Sequence, residues 1–232
     1  MNRLDADAPI NGDLDERVAV DIEKLDWTPS PSGRVWRKRL HRVGPAESGQ
    51  VTSVVRYNPG AEFPVHDHPE GEEILVLDGV FSDEHGDWPA GTWLLNPEGF
   101  RHAPFSRDGC LLFVKLRQAA GLARDHVEAQ TEQMEWEATE VRGLERKQLA
   151  SQPAFEDSTF LERWSPNVDL GERGYKGGAE IFVMKGQFSD ESGEYGEGCW
   201  LRLPGGTRHR PKTMAGCTLY VKFGGVLALR SA

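Results

Sequence analysis

Sliding the chain against itself by 107 residues brings two stretches of one pattern into coincidence. This internal repeat limits the fold more than any other feature. Glu73-Ile74 meets Glu180-Ile181, and Gly79-Val80-Phe81-Ser82-Asp83-Glu84 meets Gly186-Gln187-Phe188-Ser189-Asp190-Glu191. Gly91, Trp93, Leu94, Pro97 and Gly99 meet Gly198, Trp200, Leu201, Pro204 and Gly206. Arg101-His102 meets Arg208-His209, Gly109-Cys110 meets Gly216-Cys217, and Val114-Lys115 meets Val221-Lys222. Roughly 22 of 50 aligned positions are identical without a gap, far beyond compositional chance. Upstream, Arg37-Lys38 resembles Arg146-Lys147 at an offset of 109.

A repeat of about 90 to 100 residues has the size of one small domain. The 232-residue chain is therefore expected to hold two domains in tandem. The expected divisions are an acidic segment 1–26, a first domain 27–120, a linker 121–133 and a second domain 134–226. Within each domain, short apolar runs such as Val51 to Tyr57, Ile74 to Leu77, Thr92 to Leu95 and Leu111 to Leu116 are punctuated by Asn-Pro-Gly, Asp-Gly and Pro-x-Gly. Such punctuation marks strands joined by tight turns. Helical periodicity is confined to the linker. The expectation is an all-β chain made of two tandem jelly-roll β-barrels.

Metal-ligand chemistry is concentrated in the first domain. His66-Asp67-His68-Pro69-Glu70-Gly71-Glu72 is answered by His102. Strand side chains alternate between faces, so His66 and His68 point the same way. Pro69-Glu70-Gly71 turns the chain. Glu72 then shares a face with Ile74 and Val76, while Glu73 faces away, as an outer or inter-sheet residue. His66, His68, Glu72 and His102 are thus the candidate ligands of one divalent metal ion per chain. Zinc is the expected ion, and the same donors suit iron, manganese or nickel. His41, His85 and His126 lie in polar stretches and are expected in solvent.

The second copy has lost these donors. His66 is replaced by Arg173, His68 by Tyr175 and Glu72 by Ala179, and only His102 keeps its type, as His209. One imidazole cannot hold a divalent ion against water, so the second barrel is expected to be free of metal. Either Arg173 and Tyr175 fill the vacated space, or Arg173 and His209 form an anion pocket.

Composition narrows the function further. A net charge of −10 argues against nucleic-acid partners. No apolar run approaches the roughly 18 residues of a membrane span, and the acidic residues 1–26 do not read as a signal peptide. That segment is expected to be disordered in part, or to add an edge strand through Val18-Ala19-Val20. Cys110, Cys199 and Cys217 form no CxxC, which fits a reducing cytoplasm. Cys110 recurs as Cys217 in the copy without metal ligands, so a buried structural thiol is expected there rather than a sensor. Trp93, Phe100, Phe105 and Phe113 are candidates to line a dry pocket or to form ordinary barrel core. The oligomeric expectation is a monomer or a homodimer.

The two spaced strings resemble the two cupin motifs. The first is Gly60, His66-x-His68, Glu72 and Gly79, and the second is Gly91, Pro97-x-Gly99 and His102. Ser106 stands where some cupins carry Asn. More narrowly, the chain resembles the ChrR-like cupins through His66 to Leu77, Gly79 with Phe81-Ser82-Asp83-Glu84, Pro89-Ala90-Gly91-Thr92-Trp93, Arg101 to Ser106, Gly109-Cys110 and Val114-Lys115-Leu116. The resemblance implies an RmlC-like fold and a zinc-containing cupin associated with anti-sigma factors and the response to singlet oxygen. The helical zinc domain that grips the sigma factor in that family is not expected here, since the first 50 residues hold no cysteine and only His41. Two functions follow as expectations. One is a zinc-binding sensor or regulatory module with a protein partner. The other is a mononuclear Fe(II) dioxygenase cleaving a C–C bond in a small ketone or diketone held in the first barrel.

Overall fold

The computed structural model describes residues 8–45 and 47–229. Strands dominate, and the chain forms two compact units, Met1–Gly12 with Leu25–Glu132 and Asp13–Lys24 with Gln133–Ala232. In the first unit the main sheet runs Val127–Gln130, Thr92–Asn96, Glu72–Ser82, Cys110–Leu116, Gln50–Tyr57, Val35–Val43, Thr28–Pro29. The second unit repeats the order with Val18–Asp21, Cys199–Leu203, Ala179–Asp190, Cys217–Phe223, Ser158–Trp164, Leu144–Ser151, Glu137–Ala138. The pairings among the described strands are antiparallel, both between successive strands such as Val35–Val43 with Gln50–Tyr57 and between distant ones such as Gln50–Tyr57 with Cys110–Leu116.

The register explains which residues face inward. Leu112 lies opposite Val55 on one side and Val76 on the other, so one row of apolar side chains crosses three strands. Val35, Val55, Tyr57, Ile74, Val76, Phe81, Leu94, Leu112 and Val114 form the first core cluster. Each such aliphatic or aromatic side chain contributes about 1.5–3 kcal/mol when fully removed from water. Bulges recur at equivalent places in the two units, between Leu111 and Leu112 and between Val183 and Lys185. Gly79 and Gly186 make these places possible. Both have positive φ, at 73° and 75°. A Cβ on either would stand 2.3 Å from the carbonyl oxygen of Gly109 or Gly216.

One segment differs from its expected role, and another takes the edge-strand role expected as one alternative. Residues 121–133 carry the strand Val127–Gln130 and a short 3-10 turn at Thr131–Gln133 in place of a helical linker. That strand pairs with Thr92–Asn96 and completes the first unit's sheet. Its counterpart in the first copy, Val18–Asp21, pairs with Cys199–Leu203 and completes the second unit's sheet. The acidic segment therefore supplies an edge strand to a unit whose remaining strands begin more than a hundred residues later.

His41 is also corrected. It is 1 % exposed, with Nδ1 3.0 Å from the Asn11 carbonyl oxygen and Nε2 3.3 Å from the Gln50 side chain. A strand bulge between Arg39 and His41 turns its ring inward. His85 and His126 are exposed. No helix among the described residues is long and apolar enough to cross a membrane.

Candidate metal centre

Two short strands bring the histidines together. His66–Asp67 pairs with Arg101–His102, placing His66 directly opposite His102. His68 follows, its N–H donating to the Phe100 carbonyl and its own carbonyl accepting from Gly99 N–H. Glu70 and Gly71 then reverse the chain with φ of 61° and 71°. Glu72 opens the next strand opposite Asn96, whose Nδ2 donates to Glu72 Oε2 at 2.9 Å.

Ring nitrogens of His66, His68 and His102 lie within 4.8 Å of one another, a group able to hold a metal ion. Nε2 of His68 faces Nε2 of His102 at 2.9 Å. Glu72 Oε2 is 3.4 Å from the first and 3.7 Å from the second. His68, Glu72 and His102 are buried, and His66 is half-buried. Glu73 is buried too, but it stands on the opposite face of the strand in register with Lys115.

Neighbouring groups fix the donor atoms. His102 Nδ1–H donates to Asp83 Oδ2 at 3.0 Å, which leaves Nε2 toward His68 and Glu72. Burial works against a charge on His102, yet the Asp83 hydrogen bond and the Glu72 carboxylate outweigh it and raise the pKa. Asp83 is also desolvated, but hydrogen bonds from His102 and from the His85 backbone hold its pKa below the usual carboxylate range. Burial lowers the pKa of His68, favouring the neutral imidazole that binds metals. Phe81 and Phe100 meet the His102 ring edge-on at 6.1 and 5.7 Å.

A cavity of about 450 Å³ opens beside the three histidines. Its lining includes Tyr57, Phe63, Ile74, Phe81, Leu112 and Val114, with Arg37 and Glu47 also reaching it. Of the aromatic residues named from the sequence, none lines this space. Trp93 and Phe113 are 1 % exposed core residues, and Phe113 lies between Leu112 and Val114 in the strand and so faces away. Tyr57, Phe63, Phe81 and Arg37 were missed. The available signal was parity, since Tyr57 alternates with Val55 onto the inner face. Cys110 is buried, its thiol pushed up to about 11 by desolvation. Cys217 is likewise buried, at about 12.

The second unit keeps the frame without the donors. Arg173 lies opposite His209 as His66 lies opposite His102. Tyr175 Oη–H donates to His209 Nε2 at 2.9 Å, and His209 Nδ1–H donates to Asp190 Oδ2 at 2.8 Å. Both ring nitrogens are thus engaged, and the imidazole has none left for an anion shared with Arg173. Ala179 stands at the counterpart of Glu72 and is fully buried. A depression of about 580 Å³ lined by Arg146, Arg173, Tyr175 and Phe223 includes no residue from the unit's fully buried core.

The family described as ChrR Cupin-like domain matches the chain twice, over residues 15–120 and 124–227. No curated protein matches it. Among solved structures, a Nostoc punctiforme protein proposed to be a dioxygenase superposes with a TM-score of 0.75 at 14% identity, over 89% of this chain and 82% of that one. A bacterial pirin, YhhW of Escherichia coli in complex with nickel(II), gives 0.65 at 14%, covering 90% and 98%. A mutant Bacillus subtilis oxalate decarboxylase gives 0.63 at 11%, covering 89% and 76%. At these identities the likeness is one of fold, here two tandem cupin barrels.

Proposed function

The chain belongs to the ChrR Cupin-like domain family, and from that premise we propose that its first barrel is a mononuclear metal site that binds and transforms a small organic molecule. His66, His68, Glu72 and His102 would hold one divalent ion. The donor set fits, because three imidazoles and a carboxylate converge, with His102 oriented by Asp83 and Glu72 by Asn96. An ion in this class supplies Lewis-acid polarisation and, where it is iron, access to oxygen chemistry. The reaction class that follows is oxidative cleavage of a small ketone-like substrate.

The observation that carries this reading is the cavity of about 450 Å³ directly beside the histidines. A purely structural ion has closed coordination and no need of adjacent space, whereas a substrate site needs a largely apolar pocket with a few polar groups. Phe63, Phe81 and Phe100 pack around the imidazoles and exclude water from that side. Three free cysteines support a reducing intracellular location.

Family membership favours a second reading, in which the same site senses an oxidant or metabolite and signals to a protein partner. Metal analysis of untagged, anaerobically purified protein, with oxygen uptake recorded across a ketone panel, separates the two. About one iron with substrate-dependent uptake is the expected result. One zinc without uptake on any ketone would transfer the function to sensing.

A further inference from the structure

The second barrel carries an anion of its own on the inner face. Glu162 stands at the counterpart of Val55, and its side chain is 4 % exposed. Arg146 donates to Oε1 from Nε at 2.8 Å and from Nη2 at 2.6 Å. The Trp164 indole N–H donates to Oε2 at 2.9 Å. Arg146, Glu162 and Trp164 form a polar plug on strands that in the first barrel border the cavity.

The first barrel retains both donor positions and lacks the carboxylate. Arg37 lies opposite Val55 in register, as Arg146 lies opposite Glu162. Tyr57 takes the place of Trp164, two residues along the strand. Both line the cavity. Arg37 gives a single nitrogen, Nη1, to the Glu47 carboxylate at 2.9 and 2.8 Å. The Glu47 side chain is 47% exposed, so this partner sits at the rim. Among the described residues nothing else bonds the guanidinium, which leaves Nε and Nη2 available. The Tyr57 side chain is buried, with the residue 8% exposed. Its hydroxyl has no hydrogen-bond partner among the described residues. Burial, reinforced by the charge of Glu72, raises its pKa far above the ordinary phenol value, so it stays a neutral donor.

We infer that the first barrel takes a molecule with an apolar body and a carboxylate, and that Arg37 and Tyr57 receive this carboxylate where Glu162 sits in the second barrel. The inference names a substrate class for the proposed metal site, and rests on that reading only in assigning the far end of the molecule to the histidines. Two donors of different charge on one carboxylate match the pattern already formed by Arg146 and Trp164. The apolar lining accommodates the body, and Glu47 is the group a ligand displaces or shares at the rim.

The test is calorimetric titration of the full-length, zinc-loaded protein with phenylacetate and with its neutral amide, phenylacetamide. Phenylacetate is expected to bind at least tenfold more tightly than the amide. Arg37→Gln should weaken phenylacetate about 10- to 100-fold, the range of a charged hydrogen-bonded contact. Tyr57→Phe, nearly isosteric and safe for folding, should weaken it about fivefold. Val55→Glu, which installs the second barrel's carboxylate, should abolish binding with metal content unchanged. Equal binding of acid and amide, no binding at millimolar acid, or full affinity in Arg37→Gln or Tyr57→Phe would overturn the inference. Metal content of each variant, read by plasma mass spectrometry, keeps the two readings apart. Arg37-dependent binding without any metal would retire the metal site and leave the carboxylate site standing. One retained metal without Arg37-dependent binding would do the reverse.

Discussion

The Tyr175 hydroxyl stands 2.9 Å from Nε2 of His209, where in the other barrel Nε2 of His68 stands 2.9 Å from Nε2 of His102. A phenol donates to an imidazole lone pair without help, whereas two facing imidazole lone pairs need a proton or a cation between them. The substitution thus converts a cation site into a self-satisfied hydrogen bond.

Reversal of that change should restore the lost site. Arg173→His, Tyr175→His and Ala179→Glu supply the donors, and Leu203→Asn supplies the counterpart of Asn96. The combined variant is expected to bind two metal ions per chain against one in the parent, counted by plasma mass spectrometry. A count that stays at one would mean that the frame of the second barrel no longer accepts an ion.

Single removals should be asymmetric between the barrels. His68→Ala is expected to strip most of the metal, and His209→Ala to leave it near the parent level. Loss of metal in the second variant would place the ion in the wrong barrel.

Asp83 touches His102 Nδ1 rather than any ion. Asp83→Asn keeps the shape but removes the charge that orients and enriches the imidazole. Metal affinity is expected to fall about 10- to 100-fold. Competition with a chromogenic chelator measures it, and an unchanged affinity would show that the ring is held by packing alone.

Acid should loosen the second unit first around His209. Burial lowers the His209 pKa, only partly offset by Asp190. Asp190 is desolvated, yet hydrogen bonds from His209 and Arg17 depress its pKa. Both folded-state values lie below the unfolded ones, so both contribute stability at neutral pH that disappears as pH falls. The loss begins below about pH 6.5 for the histidine and about pH 4 for the aspartate. Hydrogen-exchange protection of the strand Ala179–Asp190, corrected for the intrinsic pH dependence of amide exchange, should fall from pH 7 to pH 4 in the parent. In Asp190→Asn protection should be lower at pH 7, and its fall between pH 7 and pH 4 should persist, because that fall comes from His209. Protection that grows on acidification would reverse the sign and refute the account.

Much of this architecture was readable from residues alone. The 107-residue repeat carried the two barrels, and strand alternation separated Glu72 from Glu73. What stayed hidden depended on distant pairing. Residues 121–133 read as polar and helix-compatible because an edge strand contacts a sheet on one face only, and its partner, Thr92–Asn96, lies some thirty residues upstream. His41 read as solvated because its polar neighbours gave no hint of the bulge that buries it. Asp83 was visible as a repeated Ser-Asp-Glu triplet, but its bond to His102 spans two strands. The aromatics that do line the cavity were not singled out because a strand such as Cys110–Leu116 is apolar on both faces, and hydrophobicity then cannot say which side is inward.

The exchange of edge strands between the copies has a consequence for synthesis. Val18–Asp21 leaves the ribosome early, but its partner Cys199–Leu203 is made almost last. The first barrel has all its strands once Gln130 has emerged, and can close while the rest of the chain is still being translated. The second must wait to recover a segment made at the beginning. Inheritance and folding are thus parsed differently here: the gene repeats at one boundary, and the polypeptide becomes solid across another.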